Sequence, residues 1–235
     1  MSKTAWIIFS AIIIGTLALL IFFSESSKLD IDSIDINAIQ IANEQNGNIG
    51  DHIYGKVGSK VTLIEYADFQ CAPCGSMYPI TKNITELYKD QIQFIFRNFP
   101  ITTSHPNAKA AAGAAEAAGL QGKYWEMHDK IYTGQDDWSN LSITERTDFF
   151  TNYARAIGLD VDRFNSDLTN AANSINKKIN YDYSLGQKAK VKGTPSFYLN
   201  GKPLSPDMYS DKTKFKEVIN NELSQAGIEL PDLTD

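Results

Sequence analysis

Apolar residues fall along this chain in three different patterns. The first is unbroken. Residues 5–23 read AWIIFSAIIIGTLALLIFF without a charge. As a helix rising about 1.5 Å per residue, the run spans roughly 28 Å, close to the apolar thickness of a bilayer. It is longer than the apolar stretch of an ordinary cleaved leader, and the following SESSKLD offers neither a small-x-small cleavage site nor a cysteine to take a lipid. The pattern therefore predicts a signal anchor over residues 1–23, a transmembrane helix that contacts the lipid bilayer through residues 5–23. Lys3 lies on the short side and Glu25 on the long side. That charge bias leaves the N-terminus cytoplasmic and the bulk of the chain extracytoplasmic, in the periplasm or at the cell exterior.

The second pattern is that of strands. Residues 24–50 are polar and read as a tether with a short helix near 35–45. SKVTLIEYADF, residues 59–69, is rich in β-branched and aromatic residues, and QIQFIFRNFP, residues 91–100, repeats that composition before Pro100 stops it. Between them Met77, Ile80, Ile84, Leu87 and Tyr88 recur at helical spacing, predicting a helix over 74–89. Strand, helix and strand within so short a span form a βαβ unit with parallel strands and a right-handed crossover.

The third pattern is helical throughout. HPNAKAAAGAAEAAGLQG opens on Pro106 and closes near Gly119 and Gly122. Further helices are predicted over 123–133, 143–157 and 160–187. The second of these starts at a capping box, Ser142 with Glu145 three residues on. Strands resume after residue 190, where TPSFYLNGKPL forms a hairpin turned at Asn200-Gly201. A last amphipathic helix occupies 212–226. The fold class is α/β. The domains divide as 1–23, anchor; 24–50, tether; 51–103 with 189–235, an α/β domain; and 104–188, an all-helical insertion.

Bulk charge adds one exclusion. A net charge of −6 and a pI near 5.1 argue against nucleic acid as a partner. The chemistry lies in the cysteines. The sequence holds two, Cys71 and Cys74, in ADFQCAPCGSMYP. A bridge across so short a loop adds about 2 kcal/mol in the chain-entropy picture, little as a staple. As metal ligands they supply half a tetrahedral set, and His52, His105 and His128 stand in no ligand spacing with one another. The redox reading has positive support. Cys71 leaves a strand and enters a helix, where unpaired N–H groups and the helix dipole favour a thiolate. Cys74 follows one turn later on the same face, and Pro73 has no N–H to lose there. Cys71 is then the attacking nucleophile and Cys74 the resolving thiol, in an oxidising compartment where the pair can cycle.

EYADFQCAPC, the run HPNAKAAAGAAEAAGLQGKYWEMHDKIY and VKGTPSFYLNG together resemble the DsbA-like thiol–disulfide oxidoreductases, over residues 50 to about 228. The resemblance implies a thioredoxin-like fold with an inserted helical domain. It implies a cis Pro195 facing the cysteines and a Thr194 backbone that pairs with an extended substrate. It makes Glu65 a buried acid near Cys74, able to act as general acid–base. It implies no metal and no cofactor, exported cysteine-containing proteins as substrates, and a membrane-bound, quinone-linked re-oxidase as partner. A dithiol oxidase is the expected activity. A reductase or isomerase of one maturation pathway, or a non-enzymatic chaperone, stays open because Ala72-Pro73 between the cysteines differs from the strong oxidant's Pro-His. Asp68 reads as a surface residue at the strand end. Tyr124, Trp125, Tyr132 and Trp138 read as core of the helical block.

Overall fold

The computed structural model describes residues 6, 9, 10, 12–17 and 31–231. The chain divides into two units, Met1–Ile34 and Asp35–Asp235. In the first, residues 12–17 are helical and Ile12, Ile14 and Leu17 are exposed. Among the described residues no helix is long and apolar enough to cross a membrane, and much of the expected anchor, 5–23, lies outside them.

The second unit is built on a five-stranded sheet. Strands β2 (Thr62–Ala67) and β3 (Gln93–Asn98) run parallel, as the βαβ reading requires, with Leu63 opposite Phe94 and Glu65 opposite Phe96. β4 (Ser196–Leu199) runs antiparallel to β2 and sets Phe197 opposite Glu65. β5 (Lys202–Pro203) returns through Asn200-Gly201, whose positive φ values of 45° and 77° suit a tight hairpin turn. The sequence pattern does not reveal β1 (Ile53–Gly55), which pairs antiparallel with β3. At three residues it is too short to show a period. The sheet order is β1-β3-β2-β4-β5.

Helices cover both faces. One face carries Leu63, Phe94, Phe96, Phe197 and Leu199, which share a buried core with Ile84 of α1 (Ala72–Leu87) and with Tyr88 at its C-cap. Phe215, Ile219 and Leu223, from the last helix, join the same core. Between β3 and β4 come α2 (Ala108–Gly119), α3 (Tyr124–Thr133), α4 (Gln135–Trp138), α5 (Ile143–Ala156), α6 (Val161–Asn170) and α7 (Ala172–Lys188). After β5 follow α8 (Pro206–Tyr209) and α9 (Lys212–Gln225). The capping box at α5 is formed by both reciprocal hydrogen bonds. The single helix expected over 160–187 is two, broken at Ala171, where Asn165, Ser166, Asp167, Thr169 and Asn170 crowd weak helix formers together. α7 lies against the second sheet face closely enough that a Cβ at Gly186 would come within 2.5 Å of Phe99.

Residues 35–50 are fastened to the domain, where a free tether was expected, and no regular helix forms near 35–45. The cause is Arg97, fully buried on β3. Its guanidinium donates to the carbonyl oxygens of Ile36 and Ala38, to Tyr66 Oη at 3.0 Å and to Asp51 Oδ2 at 2.8 Å. Lys178 of α7 joins the cluster, 3.1 Å from Asp51 and 2.7 Å from Asp182. Burial alone would raise the Asp51 carboxyl, but Lys178 and Arg97 outweigh it and hold it at about 2. Gln40 completes the clasp, accepting from Tyr181 Oη at 2.7 Å.

Candidate active site

The site is assembled where β2 hands over to α1. Cys71 is the N-cap of α1, in extended backbone conformation, and Pro73 sits in the first turn. A side chain at the N-cap faces the unpaired N–H groups of the first turn, the nearest of which belong to the second and third helical residues. The second helical residue is Pro73, which has no N–H, so the donor left is the N–H of Cys74, the third. The C-x-x-C spacing thus places the second cysteine where its backbone and its thiol both meet the sulfur of the first. Both are free thiols; Cys71 is 6% exposed and Cys74 1%. A hydrogen bond from the Cys74 thiol, helped by the Thr194 side chain and the Cys74 N–H, outweighs burial and lowers Cys71 from 9.0 to about 6. Cys74 moves the opposite way. Burial, then the donated hydrogen bond and the neighbouring charges of Cys71 and Glu65, push it well above 9.0.

Across from the pair, the Thr194–Pro195 bond is cis. The Cys71 thiol donates to the Thr194 carbonyl at 3.4 Å, and Tyr209 Oη holds the Pro195 carbonyl at 3.1 Å. Glu65 is 3% exposed in the middle of β2, between Phe96 and Phe197 on the flanking strands. Burial alone raises its carboxyl from 4.5 to about 8. The structure therefore brings Cys71, Cys74, Thr194 and Pro195 into one site and sets Glu65 beneath Cys74.

Asp68 is not the surface residue expected. It is 1% exposed and accepts from Gln70 N at 2.8 Å, Ile101 N at 2.7 Å and His105 Nδ1 at 2.7 Å. It folds the strand end into the turn that presents Cys71, whose own N–H bonds back to the Asp68 carbonyl at 3.0 Å. An Asp two residues before a backbone N–H it can cap is a readable turn signature. Gln135 had no such sequence cue. From α4 its amide donates to the carbonyls of Phe69, at 2.6 Å, and Cys71, at 2.9 Å. Gln70 reaches the other way, donating to Ser139 O at 2.7 Å and accepting from Asn107 N at 2.6 Å. The helical insertion thus grips the cysteine turn by its backbone. Tyr124, Tyr132 and Trp138 are buried, as expected of core residues, whereas Trp125 is half-buried against Tyr54 and Phe94. Among the described residues no group of three or more His, Cys, Asp or Glu could hold a metal ion.

The comparisons agree with this geometry. The family described as Thioredoxin matches residues 47–221. The fold is similar to BdbD from Bacillus subtilis, with a TM-score of 0.64 and 21% identity over 80% of this chain and 98% of that one. It is likewise similar to the thiol-disulfide exchange protein alpha-DsbA2 from Wolbachia pipientis, with a TM-score of 0.62 and 22% identity over 73% and 87% of the two chains. A Na(+)/H(+) antiporter, NhaA 3 of Salinispora tropica, is 36% identical over 152 residues, which make up 65% of this chain and 22% of the antiporter. The chain thus spans about a fifth of the length of that relative. With a sheet of order β1-β3-β2-β4-β5, a helical block between β3 and β4, and a family match across most of its length, the chain belongs to the thioredoxin family and carries the DsbA-like form of its fold.

Proposed function

We propose that this protein is a thiol–disulfide oxidoreductase that works as a dithiol oxidase, held at the outer side of a membrane by residues 5–23. The observation that carries the reading is the opposed pair of thiols: Cys71 drawn down to about 6 beside a Cys74 raised well above 9.0. A thiolate stabilised in the reduced protein favours reduction of its own disulfide, and hence oxidation of the substrate. In the forward reaction a substrate thiolate attacks Cys71 Sγ of the Cys71–Cys74 disulfide. The substrate–Cys71 disulfide forms and Cys74 leaves as a thiolate, which takes the proton held by Glu65. A second substrate thiol, losing its proton to solvent, then attacks its partner sulfur and releases Cys71 as a thiolate. The substrate has lost two electrons and the protein has gained them. Thr194, with its carbonyl beside Cys71, is the backbone against which an extended substrate would align.

Exported proteins with paired cysteines are the substrates that fit an extracytoplasmic location, and a quinone-linked membrane protein is the re-oxidant that fits the anchor. Support for the anchor is the uncharged run itself and the helical conformation of residues 12–17. No transport role is carried over, because the matched residues make up 22% of the antiporter. Equilibration of Cys71–Cys74 with glutathione buffers tests the direction. A potential near −120 mV, that of a strong oxidant of this kind, supports the oxidase; one near −270 mV, about that of thioredoxin, replaces it with a reductase.

A further inference from the structure

A proton released or taken up by Cys74 has no direct way to solvent, because the thiol is 1% exposed and Glu65 beneath it 3%. Among the described residues burial alone acts on the Glu65 carboxyl, without a hydrogen bond, and it lines a cavity with room for about one water molecule. Two further polar groups line the same cavity, and both are buried without a hydrogen-bond partner: His128 Nε2 and Tyr132 Oη. His128 is 4% exposed and Tyr132 6%. Their placement follows from the fold. Phe96, paired with Glu65 across the strands, packs its ring 4.8 Å from the His128 ring and 6.1 Å from that of Tyr132. Strand and helix α3 therefore turn an acid, an imidazole and a phenol toward one small space. Two orphaned polar atoms and the Glu65 carboxyl around a water-sized cavity satisfy what an internal water needs, which is two to four partners.

On the far side of the imidazole the route continues to the surface. His128 Nδ1 lies 3.1 Å from Asp129 Oδ1, and Asp129 Oδ2 is 2.5 Å from Lys82 Nζ. Asp129 is 27% exposed and Lys82 37%. Burial alone would raise the Asp129 carboxyl, but the hydrogen bonds from His128 and Lys82 outweigh it and keep it low, so it stays an anion that can steady an imidazolium.

We propose that His128 is the proton relay of this site: through one water shared with Glu65 and Tyr132 it passes the Cys74 proton between Glu65 and the Asp129 carboxylate at the surface. The inference rests on the thiol–disulfide reading of the site. Outward, Cys74 S–H gives its proton to the Glu65 carboxylate as the thiolate forms. The Glu65 carboxylic acid gives a proton to the water, the water gives one to His128 Nε2, and Nδ1–H gives one through Asp129 to solvent. The inward direction reverses each transfer, and no electrons move.

The other groups facing the cavity do not take this part. From α1 come Tyr78, Thr81, Lys82 and Thr85; from β1 comes Tyr54, bound to Glu86. From α3 come Asp129 and Tyr132, with Tyr124 stacked beyond His128. Burial, first among several causes, raises Tyr54, Tyr78, Tyr124 and Tyr132, which takes the phenols further from neutrality. Lys82 is bound to Asp129 and held protonated. His128 is moved down by burial, against its hydrogen bond to Asp129. Its imidazole can take a proton at the unpartnered Nε2 while giving one up from Nδ1 toward Asp129, as a relay requires.

The test follows the reaction of the reduced full chain with oxidised glutathione by stopped flow. Cys71 attack releases one glutathione and Cys74 attack the second. His128→Gln, which keeps a polar side chain but cannot carry a proton, is expected to lower the second rate relative to the first by about tenfold or more near pH 7. The deficit should shrink as pH rises and Cys74 deprotonates without help. A second phase that superimposes on the wild-type profile at every pH overturns the relay. A wild-type chain that releases no glutathione overturns instead the oxidoreductase reading on which it rests. Nitrogen NMR of the His128 ring in the unaltered full chain checks the same point without a variant. Its Nε2 resonance should move with the titration of Glu65, and a resonance flat across that range overturns the proposal.

Discussion

Replacing Cys74 with Ala removes the largest influence that lowers Cys71, the hydrogen bond from the Cys74 thiol. It leaves the backbone N–H of residue 74 and the Thr194 contact in place. A hydrogen bond to a charged group contributes about 1.5–3 kcal/mol. At 1.36 kcal/mol per unit that corresponds to a rise of about 1–2 pKa units in Cys71. Starting from about 6, the midpoint should move to roughly 7–8. At pH 6.5 the thiolate fraction then falls from about three-quarters to between about 3% and 25%. Part of the lost reactivity returns, because a more basic thiolate is a better nucleophile, with a Brønsted slope of about 0.4–0.5. The assay is the rate of iodoacetamide alkylation of Cys71 against pH, alongside the ultraviolet absorbance of the thiolate. Cys74→Ser is the control: its hydroxyl can still donate, so its midpoint should stay within about half a unit of the value with Cys74 present. If Cys74→Ala leaves the midpoint near 6, the thiol-to-thiolate bond is not what lowers Cys71, and the helix N-terminus and Thr194 must carry the shift.

Glu65→Gln should stabilise the fold in a pH-dependent way. The folded carboxyl sits at about 8 against 4.5 for the free group, so between those values the folded state holds a proton that the unfolded state has released. Stability of the protein with Glu65 therefore falls as pH rises through that window. The gain from Gln should be absent at pH 4 and reach roughly 3–5 kcal/mol above pH 8, read by chemical denaturation at several pH values; a gain that is constant with pH would contradict it. Arg97→Met leaves Asp51 buried without its guanidinium and frees the carbonyls of Ile36 and Ala38. A loss of about 3–5 kcal/mol is expected, with early proteolysis near residues 35–50 as the specific sign. Gln135→Ala removes two donors from the Phe69 and Cys71 carbonyls. It should cost about 1–3 kcal/mol and speed hydrogen exchange at Cys71 and Gly75 ahead of the sheet.

The parts legible in the sequence are those whose physics is local. The strand over 59–69, the helix after Cys71, the capping box of Ser142 and Glu145 and the Asn200-Gly201 turn each depend on neighbours a few residues away, and each forms close to where it was expected. The pairing of Cys71 with Thr194 and Pro195 was legible for another reason, through resemblance to a family. What escaped was non-local. Asp68 looks like an ordinary strand-end acid until Ile101 and His105 fold onto it. Residues 35–50 are polar enough to read as tether, and nothing nearby reveals that Arg97, some sixty residues on, will bind their carbonyls. His128 sits among aromatics at helical spacing, which describes a core histidine equally well. Its unpaired Nε2 belongs to the packing of α3 on β3, not to the order of residues in α3.

The two edges of the sheet are very short. β1 offers three residues and β5 two, the second of them Pro203, which has no N–H to offer a neighbour. A protein that handles unfolded, cysteine-bearing chains is surrounded by extended segments seeking a strand to join. Long open edges would gather them indiscriminately and seed aggregates. With its rims cut this short, the sheet gives an incoming chain little to zip onto except the backbone beside the cysteines. In the proposed role, selectivity for thiols would then be partly a property of the sheet's margins: the molecule would stay clear of its clients everywhere but at the place where a sulfur can be exchanged.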